Sequence, residues 1–81
     1  MLFTKTPAAQ YICSTWFERD RRHIRLETPQ GRVVFELWDD DVGQAIEDGL
    51  LTTPRCPRPS DADWQPHAVQ YAVDCELITL L

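Results

Sequence analysis

Apolar and polar positions alternate with a period of two along much of Tyr11–Trp38, the pattern of strands with one face buried and one wet. Tyr11–Phe17 (YICSTWF) is rich in aromatic and β-branched residues and predicts a strand over about 11–17. Its two faces, Tyr11/Cys13/Thr15/Phe17 and Ile12/Ser14/Trp16, are both partly apolar, so the pattern alone does not orient it. His23–Thr28 is clearer and predicts a strand over about 22–28. Ile24 and Leu26 fall on one face, and His23, Arg25 and Glu27 on the other. A third strand over about 32–38 puts Val33, Phe35 and Leu37 opposite Val34, Glu36 and Trp38. Glu18–Arg21 is a polar connection, and Thr28-Pro29-Gln30-Gly31 supplies a turn, with Pro presetting φ and Gly tolerating the left-handed region.

Two registers compete for the second hairpin. Pairing Thr28 with Arg32 would set Ile24 against Glu36. Pairing Glu27 with Arg32 sets Leu26 against Val33, Ile24 against Phe35, His23 against Glu36, and Arg21 near Trp38. A one-residue slip moves the whole apolar set to the other face, so burial selects the second register.

After Trp38 the period changes. Asp39-Asp40-Asp41 reads as the cap of a helix over about 40–49, with Val42, Ala45, Ile46 and Leu50 at helical spacing and Gly49 ending it. Gly43 inside that helix suggests close packing on the sheet. Residues 51–64 hold Pro54, Pro57 and Pro59 and form a strap in which neither helix nor central strand is favoured. Ser60–Trp64 fits one helical turn, with Ser60 as cap, Asp63 in the capping-box position and Pro66 as terminator. Over about 68–79 two patterns coexist. Val69, Tyr71, Val73, Cys75 and Leu77 alternate as in a strand, while Trp64, Ala68, Tyr71, Ala72 and Cys75 share a helical face. The β-rich VDCELIT ending favours the strand. Residues 1–9 read as a short arm punctuated by Pro7.

The whole is an α+β domain spanning residues 1–81: a three-stranded antiparallel meander, one packed helix, a proline-rich strap and a fourth element. With 43% hydrophobic and 26% charged residues, the 81-residue chain has the composition of an ordinary globular protein. Its apolar runs are too short to cross a membrane, and MLFTKTPAAQ lacks a signal-like run, so a cytoplasmic location is expected. Cys13, Cys56 and Cys75 are odd in number and unpaired in spacing, which suits reduced thiols and makes poor zinc geometry with His23 and His67.

Charge changes the picture more. The net charge of −5 argues against a basic nucleic-acid binder. Yet Arg19, Arg21, Arg22, Arg25 and Arg32 precede Asp39, Asp40, Asp41, Glu47 and Asp48, so the chain is locally dipolar. No phosphate loop, GxSxG or HExxH motif occurs, and no catalytic residue, metal or cofactor is assigned. His23 beside Glu36 and His67 beside Asp63 are candidate acid–base pairs without a positioned nucleophile.

The candidate binding face is Arg21, His23, Arg25 and Arg32 with Trp16 and Trp38, since arginine and tryptophan together serve interfaces and single-strand binders alike. The expected function is that of a small non-catalytic interaction protein, of bacterial or phage accessory type. Its partner is another protein or a second copy in a homodimer. Nucleic-acid or phosphate binding by Arg19–Arg32 is the second reading, and a small-molecule pocket or enzyme the third.

Overall fold

The strands are β1 (Ile12–Glu18), β2 (Arg21–Glu27) and β3 (Val33–Leu37), joined antiparallel in that order. They are seen in a computed structural model that describes residues 7–79. Two helices follow, α1 (Asp39–Glu47) and α2 (Asp61–Asp74), so the fold is α+β as the pattern implies. A short 3₁₀ turn at Ala8–Gln10 precedes β1; the first part of the expected N-terminal arm, residues 1–6, lies outside the described residues.

The β1–β2 connection is a two-residue turn in which Arg19 and Asp20 both have positive φ, 54° and 63°. That is the conformation whose twist matches paired strands, and Asp accepts it more readily than Arg. In the register that results, Cys13 faces Leu26, Thr15 faces Ile24, and Trp16 faces His23.

The second hairpin corrects the expected register. At the turn the chain adopts the pairing that burial seemed to forbid: the Thr28 amide donates to the Arg32 carbonyl at 2.9 Å. A bulge at Val34 then shifts the ladder by one, giving Glu27–Val33, Leu26–Phe35, Arg25–Glu36 and Ile24–Leu37. One extra residue reconciles the turn with an apolar inner face. Consequently Val33, expected in the core, is 48% exposed, whereas Val34 packs against the core.

The inner face of the sheet carries Cys13, Ile24, Leu26 and Phe35, and both helices bury against it. Helix α1 contributes Val42 and Ala45; α2 contributes Trp64, Ala68, Val69 and Ala72; Leu51 enters from the strap. The strand expected over about 68–79 is therefore wrong. Trp64, Ala68 and Ala72 recur every four residues and all are buried, which only a helix achieves. Ser60 does cap it, with Asp63 returning the capping-box bond at 2.9 Å, but the helix runs through Pro66.

Helix α1 also departs from expectation. Its N-cap is Trp38, and none of the three aspartates caps it. Gly49, with φ of 77°, closes its C-terminus as its position suggested. Gly43 faces open space rather than the sheet, and nothing in the structure explains it. No helix among the described residues is long and apolar enough to cross a membrane.

Candidate binding face and adjoining cleft

The outer face of the sheet carries an aromatic cluster centred on His23. Cross-strand pairing puts Trp16 beside it on β1, ring centroids 5.3 Å apart and stacked at 14°. Trp38, just past β3, meets its other side edge-on at 4.4 Å and 85°. His23 is thereby only 4% exposed, buried on a face expected to be wet. Its Nδ1 has no hydrogen-bond partner among the described residues. The expected His23–Glu36 pair does not form, because the bulge sets Glu36 opposite Arg25 instead.

Arg25 extends the cluster, its guanidinium carbon 5.4 Å from the Trp16 ring centroid. It also lies 3.8 Å from Glu36 and 3.2 Å from Glu27, the latter an ion pair without hydrogen-bond alignment at Nε. Half-exposed pairs of this kind contribute at most about 1 kcal/mol each, so they orient the guanidinium more than they stabilise the fold.

Of the expected face, the structure brings together Trp16, His23, Arg25 and Trp38, with Arg21 exposed at the end nearest Trp38. It does not bring Arg32, which sits in the turn at the opposite end of β3, its amide bonded to the Thr28 hydroxyl at 3.1 Å. Arg22 points to the other face, over Phe17 at 4.3 Å and Trp64 at 5.0 Å. Burial lowers its basicity, with Asp61 and the Cys13 thiol acting the other way. Trp38 keeps 49% of its surface exposed and is not buried under residues 51–64.

Beyond Trp38 the face opens into a cleft of ≈ 720 Å³ between the first hairpin turn and the start of α1. Glu18, Arg19 and Arg21 line one side, Asp39, Asp40 and Asp41 another, with His23 and Trp38 between. Asp39 Oδ1 accepts the Arg22 amide at 3.3 Å, continuing the ladder where β3 has ended. No ion pair joins the cleft's arginines to its carboxylates among the described residues. The chain pattern gave no sign of this cleft, since it depends on how α1 turns back beside β2.

The other histidine behaves differently. His67 Nδ1 lies 2.6 Å from the Thr52 hydroxyl, tying the strap to α2, while Asp63 is engaged with Ser60 and, at 3.7 Å, with the Cys56 thiol. The expected His67–Asp63 pair is therefore absent. The cysteines are free thiols. Cys13 is pushed up to about 12 by burial, then by Asp61, with Arg22 opposing. No group of three metal-ligating side chains occurs among the described residues.

Against known proteins, no family model matches the chain, and neither a curated protein nor a solved structure emerges as a relative.

Proposed function

We propose that this protein is a non-catalytic interaction module that docks a protein partner through the outer sheet face of Trp16, His23, Arg25 and Trp38. One observation carries the reading: both helices bury the inner face, and the outer face still holds two tryptophans and an arginine in fixed mutual contact. Ordered aromatic and arginine side chains with solvent-facing surface are the usual anchors of protein interfaces. Self-association through the same face belongs to this reading.

The phosphate-binding alternative has less support. Arg22 is stacked on the inner side, Arg25 is paired with two glutamates, Arg32 is remote, and Arg19 and Arg21 share their cleft with four carboxylates.

Site-specific photo-cross-linking tests the proposal. A photoreactive phenylalanine analogue is placed at position 38 on the outer face, or at 47 on the exposed side of α1, in cells producing the protein. A discrete protein adduct or a covalent dimer from 38, absent from 47, is the expected result. Equal labelling from both positions would refute the docking face. A nuclease-sensitive adduct would transfer the case to the phosphate reading.

A further inference from the structure

The cleft beside Trp38 differs in chemistry from the face it adjoins. Four carboxylates line it against two guanidiniums, a local net charge of −2 in a chain of net −5. Such a surface attracts cations, even though a helix N-terminus ordinarily favours anions. Here three aspartates occupy the first turn of α1 and neither they nor Trp38 supply a side-chain cap, so no more than part of their charge is spent locally. Asp39 is engaged with the Arg22 amide; Asp40 and Asp41 are exposed.

A second observation is independent of the acids. His23 lines the same cleft while more than nine-tenths buried, and its Nδ1 lacks a partner among the described residues. A buried polar atom left unpaired costs about 1–3 kcal/mol, which a ligand donor can recover. A neutral imidazole supplies the acceptor that a guanidinium or ammonium lacks. Trp38, half exposed at the edge of the cleft, supplies the aromatic surface on which such a cation rests.

Resting on the docking role argued above, we propose that this cleft receives an arginine or lysine side chain from the partner's docking segment. The cation sits against Trp38, faces Asp40 and Asp41, and donates towards His23. A volume of ≈ 720 Å³ accommodates the side chain with its flanking backbone. Arg19 and Arg21, long and exposed, line the rim and weaken the attraction without filling the site.

The test uses the full chain and short acetylated, amidated Gly/Ser peptides carrying two arginines, two glutamates or no charge, with inorganic phosphate as a further probe. Ring resonances of Trp38 and His23 are followed by NMR, with Trp64, buried on the inner side, as internal control. The arginine peptide is expected to shift Trp38 and His23 saturably and leave Trp64 unmoved. Asp40→Asn with Asp41→Asn should weaken binding about fivefold, and Trp38→Leu, which keeps every charge, about threefold. Arg19→Ser with Arg21→Ser should tighten it.

Shifts that do not saturate, or an affinity unchanged in the double asparagine variant, would overturn the proposal. So would preferential binding of phosphate or the glutamate peptide, lost with the two arginines. If position 38 still cross-links a protein while the arginine peptide fails, the docking face stands and the cleft assignment falls. If no adduct forms, the docking role falls first and takes this proposal with it.

Discussion

The two helices begin in the same way and then part. Each opens with an aspartate whose carboxylate leaves the helix to accept a strand amide, Asp39 from Arg22 at 3.3 Å and Asp61 from Thr15 at 2.9 Å. Each thus closes a backbone donor that the sheet leaves open. Beyond that first residue α2 is self-sufficient. Ser60 and Asp63 exchange capping bonds, Asp61 also takes the Thr15 hydroxyl at 2.7 Å, and Gln65 holds the carbonyls of Ala8 and Tyr11. Helix α1 has no side-chain cap, an exposed glycine in its middle, and two acids facing solvent. One helix start is spent on structure. The other is left over, and it is the one beside the tryptophan face.

The largest break in this contrast comes from the anchor of α2. Trp64 is 4% exposed beneath the sheet, so Trp64→Ala should lower unfolding stability by about 3–5 kcal/mol, read by urea denaturation. A loss below about 1 kcal/mol would mean that α2 does not depend on the core it completes.

Ser60→Ala should cost about 1 kcal/mol by removing the cap, and it also carries a pH signature. The Ser60 amide and hydroxyl hold the Asp63 carboxyl below its ordinary value, with burial opposing and the Cys56 thiol assisting. A depressed folded value contributes stability above the unfolded value, near pH 4, that is lost as pH falls through the folded one. The native protein should therefore lose stability on acidification below about pH 4 more steeply than Ser60→Ala. Parallel acid profiles would contradict the cap.

The smallest effect is on the weaker helix and has the opposite sign. Gly43 has open space around the position of a Cβ and ordinary negative φ, so Gly43→Ala should stabilise the protein by about 1 kcal/mol. A rise in melting temperature checks it. A fall would show that α1 needs its glycine for something the described residues do not reveal.

How legible these features were in the amino-acid order follows from their range. The meander was readable because alternation and turn residues are local. The capping box at Ser60–Asp63 was also local, and it was read correctly. What followed it was not, because Val69/Tyr71/Val73 fit a strand as well as a helix, and Pro66 looked like a stop. Burial of Trp64, Ala68 and Ala72 decided between them, and burial is a tertiary fact. The aromatic face was partly legible: Trp16, His23, Arg25 and Trp38 were chosen from one side of a hairpin, but by way of a register that does not occur. Asp61, bonded to Thr15 across 46 positions, left no local signal at all.

Val34 gives strand β3 one residue more than its pairing requires. A loop demanding one alignment and a core demanding another are both satisfied, so each can vary without forcing the other to follow. The strand also holds a spare position: removing Val33 or Val34 would leave the Leu26–Phe35 and Ile24–Leu37 partners, and Trp38 beside His23, still able to meet. Deletions within strands are ordinarily ruinous because they invert everything downstream. Here the hairpin has an expansion joint, and the recognition surface beyond it is insulated from changes in the loop.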